Sequence, residues 1–322
     1  MRNAPYYPDL DSVDADLDLV AEIRRLRGEK NALILAHYYQ EPLVQDLADF
    51  VGDSLQLAQE AQKAKAKVIL FCGVHFMAET AKILNPGSTV VLPDVSAGCS
   101  LADRCSAEVF KEWLKDYPDH VVISYINCSA NVKALSDIIC TSSNAVRVVN
   151  SVPADKKIVF APDRHLGRWI AGQTGREMAL YPGFCIVHEQ FTPRRVAAMK
   201  ARCPDAKLIV HPECHAPVAA MADFVGSTAG MLRFVATNPA KTFLIGTETG
   251  ILHLMRKHRP DAKFVPIPVD DGGSCSLCPY MRLNTLEKIY LALRDLKPEI
   301  VMDEPLRQKA LKPLERMLLL ET

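Results

Sequence analysis

The chain predicts an α/β protein. It is read as three similar α/β/α sandwich domains, each with a small parallel sheet, in a pseudo-threefold arrangement around a central active site. Three observations carry this reading. An Asp-led block recurs at Asp49, Asp137 and Asp223, 88 and 86 residues apart. Short continuous Val/Ile/Leu/Phe runs alternate with helical patterns, as buried parallel strands with crossover helices do. A cysteine stands at or near the end of each copy.

Within a copy the first block is an apolar run ending in polar residues: ALILAHYYQ from Ala32, VVISYINCS from Val121 and KLIVHPECH from Lys207. The Asp-led block follows. It reads ADFVGDSLQLAQEA from Ala48, SDIICTSSNAVRVV from Ser136 and ADFVGSTAGMLRFV from Ala222. Each is a short strand, a small polar turn and an amphipathic helix. The third block is KVILFCGVHFM from Lys67, KIVFAPDRHLG from Lys157 and KTFLIGTETGI from Lys241. The fourth is TVVLPDVSAGC from Thr89, MALYPGFC from Met178 and FVPIPVDDGGSC from Phe264. Four strands in each copy make one small sandwich, and the period is too long for a solenoid unit. The expected boundaries are an N-terminal extension over 1–19, domains over 20–103, 104–188 and 189–275, and a C-terminal segment over 276–322 that wraps back.

Composition narrows the function. The 322 residues are 49% hydrophobic and 24% charged, an ordinary globular balance. Lys+Arg and Asp+Glu are both 38. Nucleic acid and anionic membranes are therefore not expected partners, since both call for a basic excess. The polar, acidic start lacks the layout of a signal peptide, and no apolar run approaches the ~18–20 residues of a membrane span. A cytoplasmic protein is expected, with its ten cysteines reduced. Clustered cysteines then point to metal or catalysis rather than disulfides. No dinucleotide fingerprint, phosphate loop or HExxH motif is present.

Parallel sheets bind ligands at the carboxyl ends of their strands. The first strands deliver His37, Tyr38 and Tyr39, then Tyr125 and Asn127, then His211 and Glu213. The second strands deliver Ser54, then Thr141 and Ser142, then Ser227 and Thr228. A lone hydroxyl before a helix is ordinarily a cap. Hydroxyls at matching places in three repeats read as a pocket for a small ligand with several anionic groups, held by helix N-termini. His75 and His165 match each other in the third block, and either supports the site or sits in the interior.

Cys99, Cys185 and Cys278 close the three repeats. Brought together at an axis, three thiolates suit an iron–sulfur cluster better than structural zinc, which prefers four ligands. Cys275 competes with Cys278 for the third position, and Cys105 competes with Cys99, which register favours. Cys72, Cys128, Cys140, Cys203 and Cys214 read as buried hydrophobes. Two rival readings are a zinc hydrolase built on His37, His211 and Glu213, and a non-catalytic iron–sulfur or anion sensor.

The segments LAHYYQ, DSLQLA, PDVSAGCSLADRC, YINCSA, CTSSNA, GFCIVHE, HPEC, GSTAGM, GTETGI and CPYMRLNTLEKIY together resemble the quinolinate synthase family of NAD biosynthesis. The resemblance runs from about residue 20 to 300. It implies a [4Fe–4S] cluster on Cys99, Cys185 and Cys278 acting as a Lewis acid without redox change. It implies a transferase-type condensation of iminoaspartate with dihydroxyacetone phosphate to quinolinate, phosphate and water, with an aspartate oxidase as the source of iminoaspartate. Substrate contacts implied are His37, Tyr39, Ser54, Tyr125, Asn127, Ser142, His188, His211, Glu213, Ser227 and Thr228. The roles expected are Glu213 as general base beside His211, with Tyr39 and Tyr125 as donors. Some members carry CxxCxxC near the C-terminus, whereas this chain has only Cys275 and Cys278.

Overall fold

The aspartate that opens each repeated block ties the start of a sheet together. In the computed structural model, which describes residues 8–320, the Asp49 carboxylate accepts from Ile34 N at 2.8 Å while Asp49 N donates to Ile34 O at 2.9 Å. Asp137 makes the same pair of bonds with Val122, and Asp223 with Leu208. A short second strand offers few ladder bonds, and the carboxylate adds one where the ladder begins. The recurring Asp is thus a structural clasp.

Each clasp belongs to a four-stranded, all-parallel sheet. The first holds β1 (Ala32–His37), β2 (Phe50–Gly52), β3 (Val68–Cys72) and β4 (Thr89–Val91), in the order β2-β1-β3-β4. The second holds β5 (His120–Tyr125), β6 (Ile138–Cys140), β7 (Lys157–Ala161) and β8 (Met178–Leu180), in the order β6-β5-β7-β8. The third holds β9 (Lys207–Val210), β10 (Phe224–Val225), β11 (Thr242–Gly246) and β12 (Lys263–Pro266), in the order β10-β9-β11-β12. The strand order is the same in all three, and the α/β class expected from the repeat is what the chain adopts. The registers Leu35↔Phe50, Ile123↔Ile138 and Val210↔Val225 place the ends of the first and second strands of each sheet side by side.

The central strands are apolar on both faces because helices cover both. Ile69, Leu70, Val159, Phe160, Leu244 and Ile245 are all buried, and each large aliphatic side chain so buried contributes roughly 1.5–3 kcal/mol. The polar turns after the second strands start helices. Asp53 caps Ser54–Lys63 in a reciprocal capping box with Gln56. Ser227 caps Thr228–Thr237 by accepting from Gly230 N. In the second repeat the helix starts later, at Ala145 behind Asn144, so Thr141 and Ser142 lie in the turn ahead of it.

The C-terminal segment packs back on the earlier sheets. Leu286–Asp295 lies on the helix Leu19–Glu29 and on β3. Glu304–Leu319 lies on β6 and on the helices Ala130–Lys133 and His75–Leu84. One hydrophobic core joins Leu35, Phe71 and Val90 of the first sheet to Ile123, Ile139 and Phe160 of the second and to Leu314 and Met317 of the last helix. No helix among the described residues is long and apolar enough to cross a membrane.

Candidate active site

The carboxyl ends of β1, β5 and β9 point into one cavity. His37, Tyr39, Tyr125, Asn127 and Glu213 line it, together with Ser54 and His188. Its atom-free volume, mouth included, is about 560 Å³. An adjoining space is lined by His37, Ser54, Tyr125, Ser142, His211 and Thr228. Ser227 lines neither. Its Oγ accepts from Gly230 N and lies 2.7 Å from Ser143 Oγ, which lies 2.5 Å from Asp53 Oδ2. That chain of hydroxyls ties the first, second and third repeats together beneath the pocket.

Gly250 explains how closely the first and third repeats meet. A Cβ there would lie 2.7–2.8 Å from the backbone of Tyr39. Only glycine fits, and Gln45 Nε2 secures the contact by donating to Gly250 O at 2.9 Å and Gln40 O at 2.8 Å.

A continuous hydrogen-bond chain crosses the site. Tyr125 Oη donates to Glu213 Oε1 at 2.7 Å. Glu213 Oε2 lies 2.9 Å from His188 Nδ1. His188 Nε2 lies 2.8 Å from Thr247 Oγ1, and Tyr39 Oη lies 2.6 Å from the same oxygen. With Nδ1–H donating to the carboxylate, Nε2 accepts from Thr247, whose oxygen accepts from Tyr39. Every proton in the chain then has one place, and Glu213 is held by two donors.

His37 and His211 share a second device. His37 Nδ1 accepts from Tyr39 N at 3.1 Å, and His211 Nδ1 accepts from Glu213 N at 3.4 Å. In both, the backbone two residues on fixes the ring, so the neutral tautomer carries its proton on Nε2. His211 Nε2 lies 3.3 Å from Ser142 Oγ in the cavity. Burial lowers both imidazoles, to about 3 each, against the opposing pull of Glu213. They therefore act as neutral donors. Burial pushes the Glu213 carboxyl up, but the hydrogen bonds it accepts from His188 and Tyr125 favour the carboxylate, and the net direction is down. Burial raises the Tyr39 and Tyr125 phenols well above their ordinary value, so both stay protonated donors.

The space beside His211 suits an anion without a cationic side chain. Ser54 and Thr228 are the first residues of ten-residue helices, whose free N–H groups face the pocket end. Asp53 also lines this space; burial raises its carboxyl, against the lowering by the bonds it accepts from Gln56 N and Ser143.

Three thiols line the larger cavity: Cys99, Cys185 and Cys278. Burial raises the Cys99 thiol to about 12 and the Cys278 thiol to about 11, and lifts Cys185 well above its ordinary value. Cys278 adds to the rise at Cys99, and both neighbours add to it at Cys185, so the three sit within electrostatic reach of one another. Cys275 is exposed and lines no cavity wall here. Cys105 is buried in a separate cluster with Phe110, Cys128 and Tyr181. Cys72, Cys128, Cys140 and Cys214 are buried as expected, and Cys203 is partly buried. The side chains of Cys185, His188 and Glu213 also converge, their ligand atoms lying within 4.8 Å of one another. His37, His211 and Glu213 make no such group among the described residues.

Thr247 was not among the candidates, although it follows β11 where polar residues follow the other strands. Asp163 is a further omission. It is fully buried, accepts from His165 N and Leu166 N, and burial with the nearby Glu213 charge raises its carboxyl. His75 is half-exposed near Glu79, whereas His165 is buried against Glu189.

The sequence model of the family described as "Quinolinate synthetase A protein" matches residues 21–319. The chain is 57% identical over 303 residues to the quinolinate synthase of Thermosynechococcus vestitus, covering 94% of this chain and 95% of that one. It is 56% identical over 301 residues to those of Microcystis aeruginosa and Synechocystis, again over 94% of this chain and 94% and 95% of theirs.

Proposed function

Because the chain belongs to the quinolinate synthetase A family, we propose that it is a quinolinate synthase of NAD biosynthesis, condensing iminoaspartate with dihydroxyacetone phosphate. Atom balance makes the products quinolinate, phosphate and two waters. The observation that carries this reading is the buried Glu213 carboxylate, held between Tyr125 and His188 at 2.7 and 2.9 Å. It faces the cavity that Cys99, Cys185 and Cys278 also line.

The three thiols fit a [4Fe–4S] cluster. They are soft donors from three repeats on one wall, and burial keeps them neutral unless a cation offsets the charge. When bound, the cluster supplies a Lewis-acidic iron toward the aspartate-derived unit. The remaining work falls to the chain. Asn127 and Ser142 hold carboxylates. Ser54, Thr228 and His37 hold the phosphate, with helix N-termini aimed at its charge and a neutral Nε2–H completing the set. Ser227 supports that pocket through Ser143 and Asp53. His211 presents Nε2–H beside Ser142 and holds a carboxylate or carbonyl oxygen in place.

Glu213 accepts the protons removed during isomerisation, loss of phosphate and dehydration. Its low pKa keeps it in the carboxylate form that can accept. His188 fixes its direction, and Thr247 with Tyr39 fixes the tautomer of His188. Tyr125 donates to Glu213 and returns a proton to a leaving hydroxyl. One C–C bond forms as phosphate leaves, one C=N bond forms as water leaves, and a second dehydration completes the ring, so no external oxidant or reductant is needed. A reducing cytoplasm and a supply of iminoaspartate from an aspartate oxidase complete the reading.

The test is anaerobic conversion of both substrates to quinolinate, with iron, sulfide and zinc counted in the same preparation. Four irons per chain and product formation are expected. Stoichiometric zinc on Cys185, His188 and Glu213, with no iron and no quinolinate, would overturn the reading.

A further inference from the structure

A second group of ligating side chains lies outside the cavity. His165 stands in the first turn of the helix Arg164–Thr174, Glu189 in the single turn His188–Gln190, and His215 at the cap of Ala216–Ala220. Their ligand atoms lie within 4.8 Å of one another. Glu189 Oε2 is 2.8 Å from His165 Nε2 and 3.3 Å from His215 Nε2. The two rings are 4.7 Å apart and tilted by 52°. The side chains are 3%, 25% and 34% exposed in the order His165, Glu189, His215, so the group is sheltered but reachable.

His165 Nε2 lies 2.8 Å from Glu189 Oε2 and 3.3 Å from Arg164 Nε, so this nitrogen either donates to the carboxylate or turns its lone pair to a cation. His215 Nε2 also lies 3.3 Å from the Glu189 carbonyl oxygen. His165 Nδ1 is buried with no partner, so nothing fixes a proton on the far side of the ring.

We propose that His165, Glu189 and His215 form a divalent-cation site of the zinc class, separate from the three cysteines, that ties the second repeat to the third. Two imidazole nitrogens and one carboxylate oxygen are a ligand set that zinc takes with water in the fourth position. Bonds of about 2.0–2.2 Å in a tetrahedron put ligand atoms roughly 3.3 Å apart. The His215–Glu189 separation already matches, and the His165–Glu189 separation must open by about half an ångström. His215 and Glu189 are partly exposed, which leaves the group open to water and ions. Arg164 is the competitor. Its Nη2 lies 3.0 Å from Glu189 Oε1, and its guanidinium stands 4.8 Å over the Phe184 ring. An ion on Oε2 displaces the Nε contact and leaves the contact to Oε1 in place. His188 lines the larger cavity but Glu189, His165 and His215 do not, so this inference is independent of the proposed reaction.

The test uses untagged, anaerobically purified protein with its iron intact, freed of loose metal on a chelating resin and dialysed against micromolar Zn²⁺. About one zinc per chain beyond the iron is expected, with a rise in melting temperature as the ion binds the folded state. Glu189→Gln and His215→Ala should each weaken zinc binding at least about tenfold, with iron content and circular dichroism unchanged. His215 caps a short exposed helix, so its variant keeps the test open should Glu189→Gln misfold. Arg164→Ala should tighten binding by removing the competing cation. No zinc retained by the wild type, or equal retention in His215→Ala, would overturn the proposal.

Discussion

Tyr125 and Glu213 are 88 residues apart in sequence and 2.7 Å apart in space, with the phenol donating to Oε1 of a carboxylate that is 3% exposed. One stands at the end of β5 and the other just beyond β9. Their contact joins two sheets at the point where chemistry is proposed. His188 approaches the other carboxylate oxygen, so Glu213 is oriented from both sides.

Glu213→Gln should keep the fold, the iron and ligand binding, because the amide is nearly isosteric. Turnover should fall on the order of 10²–10⁴-fold, since an amide does not accept a proton at neutral pH. Ser142→Ala is the paired control and should chiefly raise KM. The check is anaerobic quinolinate formation beside quinolinate binding followed through the cluster spectrum. Near wild-type turnover in Glu213→Gln would remove it from the mechanism.

Cys99→Ala, Cys185→Ala and Cys278→Ala should each abolish the brown chromophore and the activity, while Cys275→Ala retains both. Iron analysis and absorption spectra decide this. Chromophore lost in Cys275→Ala but kept in Cys278→Ala would reverse the assignment of the third thiol.

Lys133 should matter beyond its own position. Its ammonium is fully buried and donates to Ile126 O at 3.1 Å and to Cys128 O, the two carbonyls flanking Asn127. Lys133→Met leaves both without that donor, which costs on the order of 1–3 kcal/mol for each one left unsatisfied. We expect a lower unfolding midpoint and a KM that rises more than kcat falls, because Asn127 loses its support. An unchanged KM in a destabilised variant would confine Lys133 to stability.

Acid should weaken the fold through His37 and His211. Their folded pKa values lie near 3, below the unfolded value near 6.5, because burial disfavours the charged ring. Above pH 6.5 neither state binds these protons, and stability is complete. Below it the unfolded chain takes protons that the folded chain refuses, so stability falls as pH drops toward 3. The slope is up to about 1.4 kcal/mol per pH unit per histidine. Glu213 acts in the same sense, since its depressed pKa gives stability that acid removes. Anaerobic urea unfolding at pH 7.5 and 5.5 should show a smaller loss in His37→Asn than in the wild type. Equal losses would place the acid sensitivity elsewhere.

The amino-acid sequence by itself determined the three-fold repeat, the strands and the ends that carry the polar residues. Its periodicity does so because an apolar run must be buried and an Asp beside a short strand has a backbone N–H to bind. It also narrowed the thiols to Cys99 or Cys105, Cys185, and Cys275 or Cys278. Tertiary structure alone decided which of these line the cavity. Spacing cannot distinguish two cysteines three residues apart, whereas burial separates exposed Cys275 from sheltered Cys278. Thr247 escaped for a related reason: Tyr39 is 208 residues away and His188 is 59. Ser227, marked by its repeat position as a ligand contact, has its hydroxyl against Ser143 Oγ and Gly230 N, partners that only the meeting of the repeats supplies. Partners so distant in the chain are set by how the sheets meet, which no local pattern encodes.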